Sequence, residues 1–165
     1  MEEAYIEEKT TCPVCGREAW HRVKRIQTRI GLVEVRSISC DFCGYKHSDE
    51  HLIQPLEYGP EEIILRIENP SDLRRYILKS RHAIIEIPEL GIEIYPGPDA
   101  RDEIYPVEGL LEKYIDRISG YCENSENQEE CMNIVGKLRR VLEYGEKITI
   151  LIRDPSRLSR ELENI

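Results

Sequence analysis

No apolar run in these 165 residues is long enough to cross a bilayer, since even the isoleucine-rich stretches are broken by Glu or Arg within a few positions. There is no glycine-rich phosphate loop, no Gly-x-Ser-x-Gly elbow and no kinase signature, so nucleotide hydrolysis and serine-hydrolase chemistry have no support. Met-Glu-Glu-Ala at the start lacks the basic and apolar regions of a secretory leader, and a cytoplasmic protein without a disulfide framework is expected. Positive charge is outnumbered: 23 Lys and Arg stand against 32 Asp and Glu, a net charge of −9 that repels a phosphate backbone at long range. Glutamine and methionine are few while Ile, Glu and Arg abound, a composition of the thermophile kind.

What the chain does have is cysteine in a pattern. Cys12-Pro13-Val14-Cys15-Gly16 and Cys40-Asp41-Phe42-Cys43-Gly44 form two knuckles, each holding two thiolates on one tight turn. Two such turns supply the closed tetrahedral sulfur shell of a structural zinc ion, so Cys12, Cys15, Cys40 and Cys43 are the expected ligands of one Zn²⁺. A thioredoxin-like redox site needs one such motif between a strand and a helix, and an iron or iron–sulfur centre is the other use of four thiolates. The glycine after each second cysteine suits a turn with positive φ that aims amide hydrogens at sulfur. Four protein ligands leave zinc no open position for water or substrate, so a non-enzymatic protein is expected.

Between the knuckles, Trp20–Gln27 and Leu32–Ser39 read as two strands with a turn near Ile30-Gly31, a zinc-ribbon plan with little apolar content of its own. From Lys9 to Ser39, seven cations face only Glu18 and Glu34, a local charge of +5. That excess either offsets a tetrathiolate zinc centre that is formally −2 or marks a nucleic-acid face using Arg17, Arg22, Lys24, Arg25 and Arg29, with Trp20 and Phe42 for stacking. The structural alternative for Trp20 is to cover the knuckles. His47 and His51, with Asp49 and Glu50 between them, suit a second metal only if they share a helix face and find a third ligand; solvated residues after the second knuckle are the simpler reading.

Pro55 to Pro60 marks the junction, dividing a zinc-ribbon module at 1–55 from a second domain at 56–165. Beyond it, short runs at Ile63–Ile67, Ala83–Ile87, Ile92–Tyr95 and Lys147–Ile152 favour an antiparallel sandwich or barrel, and Leu73–Lys79 after Ser71-Asp72 reads as a short helical piece. Two stripes at helical period, Val107, Leu110, Leu111, Tyr114, Ile115, Ile118 and then Cys131, Ile134, Val135, Leu138, Val141, Leu142, predict a helical hairpin at about 106–145. Cys122 and Cys131 fall at its facing ends, where free or buried thiols are the first expectation and a bridge across the turn the second.

The two knuckles, Asp72-Leu73-Arg74-Arg75-Tyr76-Ile77-Leu78-Lys79-Ser80, Ile87-Pro88-Glu89-Leu90 and Val107-Glu108-Gly109-Leu110-Leu111 together resemble the Zpr zinc-finger family, in a single-copy form like the archaeal one. The resemblance implies a mainly β fold with an α hairpin: a four-cysteine zinc ribbon followed by a double-stranded β-helix (jelly-roll-like) domain carrying the two helices. It also implies a zinc-binding interaction factor, a chaperone or assembly factor for translation elongation factor 1-alpha, and the alternative is a nucleic-acid-binding ribbon protein using the basic 17–36 face. The candidate partner contacts are Arg22 and Arg25 on the ribbon and Lys79 and Glu89 in the family motifs, the last two either as surface contacts or as an ion pair. Glu108, in the first turn of a helix, is explained by the helix dipole. Where the family commonly carries Asp-Pro-x-Gly-Asn-Ser, this chain has Asp154-Pro155-Ser156-Arg157-Leu158-Ser159.

Overall fold

In Glu62–Ile67 (β5), Ile63, Leu65 and Ile67 turn inward while Glu62, Ile64 and Arg66 stay exposed, the two-residue period of a strand with one wet face. The same alternation buries Ile148, Ile150 and Ile152 of Ile148–Arg153 (β10), which pairs antiparallel with β5. The computed structural model describes residues 5–163, and contacts divide the chain into two compact units, Met1–Tyr58 and Gly59–Ile165.

The first unit is a four-stranded antiparallel sheet in sequence order: Tyr5–Thr11 (β1), Glu18–Gln27 (β2), Gly31–Ser39 (β3) and Lys46–Pro55 (β4). The central pair β2–β3 is the ribbon that the sequence predicts. Strands β1 and β4 flank it, and the sequence does not announce them because Tyr5–Thr11 has both faces largely exposed and β4 is almost wholly polar until Leu52. Charge holds β1 in register: Glu7 lies opposite Arg22 and Glu8 opposite His21, and both pairs are bonded, Arg22 Nε donating to Glu7 at 2.6 Å. Cross-strand pairs of opposite charge favour this register over a slipped one.

The second unit holds β5–β10–Ile84–Ile87 (β7)–Ile92–Ile94 (β8) in one sheet. A second sheet orders Arg160–Leu162 (β11), Tyr76–Lys79 (β6) and Glu103–Pro106 (β9). Helices Val107–Cys122 (α1) and Gln128–Tyr144 (α2) pack on each other. Their stripes of Val107, Leu110, Leu111, Tyr114, Ile115, Val135, Leu138 and Val141 join the inward side chains of the first of these sheets, Leu65, Ile85 and Ile150 among them, in one core. Glu108 occupies the first turn of α1 as expected, and Gly145 ends α2 with φ +66°.

Two local expectations are corrected. The segment Leu73–Lys79 is helical only at its start: a 3-10 turn spans Pro70–Arg74, Arg75 is extended, and β6 follows. Asp72 closes the turn from inside by accepting from the amides of Glu68 and Asn69, and Ile77 and Leu78 then bury in a strand flanked on both sides, so tertiary pairing overrides helical propensity. Cys122 and Cys131 are joined in a disulfide across the α1–α2 turn, their Cα atoms 5.5 Å apart, in place of the free thiols first expected.

Candidate metal centre

Each knuckle is built by the same two backbone bonds. Cys12 N–H donates to Arg17 O at 2.7 Å and Gly16 N–H to Cys12 O at 3.0 Å; Cys40 N–H donates to Tyr45 O at 2.9 Å and Gly44 N–H to Cys40 O at 3.0 Å. Gly16 and Gly44 have φ of +69° and +75°, the left-handed backbone that their place after the second cysteine predicts. The connecting hairpin β2–β3 brings the two turns together.

The four sulfurs lie within 4.8 Å of one another, with Cys12 Sγ to Cys43 Sγ and Cys15 Sγ to Cys40 Sγ both 3.6 Å. A tetrahedron of zinc–sulfur bonds of about 2.3 Å has edges of about 3.8 Å, so the donor set fits zinc in number, chemistry and spacing. Backbone amides of Cys15 and Val14 pull the Cys12 thiol down to about 7. At Cys43 the Tyr45 amide favours the thiolate, but burial and the neighbouring sulfurs of Cys12, Cys15 and Cys40 outweigh it and push the thiol up to about 12. Sulfurs this close cannot all ionise unless a cation compensates them.

Cys12 and Cys40 are buried in a small cluster with Ala19, against which Ile38 and Tyr45 pack; Cys15 and Cys43 face outward. Trp20 does not cover the knuckles, contrary to one expectation. It sits on β2 opposite Lys9 and Ser39, with Lys9 and Arg22 over its ring at 5.6 and 5.9 Å. The cap is supplied by Ala19, Ile38 and Tyr45. At the tips, Val14 is 67% and Phe42 64% exposed, each immediately before an outward cysteine, and Arg17 lies over the Phe42 ring at 5.0 Å.

The remaining sequence candidates separate. His47 and His51 are on β4, a strand and not a helix, and His51 Nε2 pairs with Asp49 at 3.0 Å. Among the described residues, the four cysteines are the one group of three or more His, Cys, Asp or Glu with converging donor atoms. Arg22 bonds Glu7 and Ser39, while Arg25 and Arg36 both bond the buried carboxylate of Glu34, which they hold below the usual carboxylate range. Part of the ribbon's positive charge is thus offset within the sheet. Lys79 is buried on β6 and Glu89 exposed in the 3-10 turn Pro88–Leu90, and among the described residues no ion pair joins them. No helix of the described residues is long and apolar enough to cross a membrane.

Sequence reasoning missed a polar cluster in the second unit. Asp154 accepts hydrogen bonds from Ser80 Oγ, Ser159 N, Ser159 Oγ, Ser156 N and Ser156 Oγ. The family-type loop after β10 is therefore anchored by Asp154 and Ser159, and Arg157 stands in it with φ +60°, a conformation that glycine adopts freely. The one sequence signal was the departure from glycine at that position.

The sequence profile of the ZPR1 jelly-roll domain matches residues 71–160. A ZPR1-like protein of Methanocaldococcus jannaschii is 31% identical over 155 residues, covering 90% of this chain and 77% of the relative. The zinc finger protein ZPR1 homolog of Caenorhabditis elegans is 32% identical over 94% of this chain but only 35% of its own length, and the zinc finger chaperone zpr1 of Schizosaccharomyces pombe is 28% identical over 88% of this chain and 33% of its own. Knuckles that fit zinc, a mainly β domain with a helical hairpin, and similarity extending along most of an archaeal relative converge: the chain belongs to the ZPR1 family.

Proposed function

We propose that this protein is a zinc-dependent protein-binding factor of the chaperone or assembly type, acting in the cytoplasm on translation elongation factor 1-alpha and working by binding alone, without catalysis. The observation that carries the reading is the exposed pair Val14 and Phe42 at equivalent positions of the two knuckles. Large apolar side chains held out on a metal-fixed turn lose little conformational freedom when a partner covers them, which makes them efficient anchors. Arg22 and Arg25 on the ribbon at 1–55 and Glu89 in the domain at 56–165 are further partner contacts in this reading, each module offering its own surface. The name of the fission yeast relative, a zinc finger chaperone, supports the class, and the family resemblance supports the client. Such a factor biases the client's folding only by binding one of its forms more tightly than another.

Purified zinc-loaded protein titrated into elongation factor 1-alpha tests this. Val14→Ser with Phe42→Ser is expected to weaken binding by about a hundredfold, the loss of two buried anchors at roughly 1–2 kcal/mol each. Affinity that the double variant leaves intact, or capture of RNA and no GTPase from lysate, overturns the reading. Engagement of Arg22 by Glu7 and of Arg25 and Arg36 by the shared carboxylate of Glu34 speaks against the polyanion alternative.

A further inference from the structure

Within the second unit a cavity of about 310 Å³ opens between β6, the 95–101 loop and α1. Its lining carries Lys79, Arg101, Lys113 and Arg117 against Asp99 and Glu103, an excess of two positive charges in a chain whose net charge is −9. Lys113 is held by Glu103 and the Tyr105 hydroxyl, both at 2.8 Å. Lys79 is different. It is only 7% exposed, yet among the described residues its one hydrogen bond is a long 3.4 Å contact to the carbonyl of Ser80 and no carboxylate reaches it within ion-pair distance. A buried ammonium costs several kcal/mol to desolvate unless a counter-charge meets it. Desolvation draws its proton affinity down accordingly, Glu103 opposing only in part.

The other walls include Ile94, Tyr95 and Pro96, and with Arg117 they run on into a groove that adds Ile92, Ile118 and Tyr121, where the one carboxylate, Glu93, accepts from the Tyr95 hydroxyl at 2.8 Å. A ligand suited to both halves presents two negative charges to the lysines and arginines and an organic body to the tyrosine and proline. We propose that this cavity binds a small organic dianion, a phosphomonoester or a dicarboxylate, with Lys79 and Arg117 as its principal counter-charges. The site is separate from the zinc knuckles and does not depend on the protein-binding reading.

Calorimetric titration of the full zinc-loaded chain with phenyl phosphate and with succinate, at low ionic strength, tests the proposal. Saturable one-to-one binding below about 1 mM is expected. Lys79→Met and Arg117→Gln each weaken it about tenfold or more, the usual effect of removing one charge-assisted partner, while Arg139→Gln on α2, away from the cavity, leaves it unchanged. Binding of phenyl phosphate alone assigns a phosphomonoester and of succinate alone a dicarboxylate; binding of both assigns dianions generally. No saturable binding of either probe, or binding that either cavity variant leaves intact, overturns the proposal. Circular dichroism of each variant checks the fold, and Arg117, being exposed, decides the matter if Lys79→Met fails to fold.

Discussion

The Asp154 carboxylate accepts a 2.7 Å hydrogen bond from the hydroxyl of Ser80, 74 residues earlier in the chain. Asp154 is 1% exposed and tied through Ser156 and Ser159 to its own loop, so one charge joins the end of β10, the end of β6 and the approach to β11. A buried carboxylate surrounded only by donors is stable as the anion.

Replacing it with an amide turns one acceptor into a donor that faces other donors. Asp154→Asn is expected to lower unfolding stability by about 3 kcal/mol at neutral pH in urea titration. Burial favours the neutral acid, but the hydrogen bonds of Ser156, Ser159 and Ser80 prevail and hold the carboxyl below its ordinary range. Its contribution is therefore complete above the unfolded value near 4 and is lost as pH falls through the lower folded value. The gap between wild type and variant should shrink below about pH 4; a gap of constant size from about pH 7 to about pH 2 would refute the anionic assignment.

Metal removal gives a second expectation. The first unit's cluster around the knuckles is Cys12, Ala19 and Cys40 with Ile38 and Tyr45, too few apolar groups to hold two turns in place. Structural zinc contributes about 10–16 kcal/mol of apparent binding energy to such modules. Chelation should release one Zn²⁺ per chain and expose the amides of Cys12, Gly16, Cys40 and Gly44 to hydrogen exchange. The far-ultraviolet helix signal should remain, because both α-helices belong to the second unit. Protection of the knuckle amides after complete metal loss would contradict it.

The knuckles and the helical hairpin were legible in the sequence because their information is local: ligand spacing in one case, a 3.6-residue apolar stripe in the other. Leu73, Tyr76 and Ile77 also fall at helical spacing, and that is why a strand there read as a helix; only the partners β9 and β11, remote in sequence, decide it. Strands β1 and β4 left no apolar alternation to find. Lys79 carried no sign that it was buried, and the Ser80–Asp154 bond is invisible until the fold brings its partners together.

The Cys122–Cys131 disulfide closes a short loop between α1 and α2, with a sequence separation of nine. Loop closure of that size is worth about 2–3 kcal/mol in the chain-entropy account. Reduction by a phosphine that spares the zinc site should lower stability by that amount and loosen the 123–127 turn, and a Cys122→Ser, Cys131→Ser double variant should show the same stability and no response to reductant. Equal stability of oxidised and reduced protein would show that the α1–α2 packing alone suffices.

Arg157 concerns the loop that departs from the family pattern. Its φ of +60° places a bulky residue in left-handed backbone, where a Cβ costs about 1 kcal/mol. The chain offsets that cost by a contact glycine cannot make: Arg157 Nε donates to Gly59 O at 2.8 Å, while Gly59 N–H donates to Arg157 O at 2.8 Å. Arg157→Ala loses the guanidinium bond and keeps the strain, so it should be about 1 kcal/mol less stable than wild type. Arg157→Gly loses the bond and the strain together, and should lie about 1 kcal/mol above the alanine variant. Urea midpoints of the three proteins decide it. If alanine matches or exceeds glycine, the left-handed backbone is not retained in the loop, and the departure from glycine reshapes its main chain as well as its side chains.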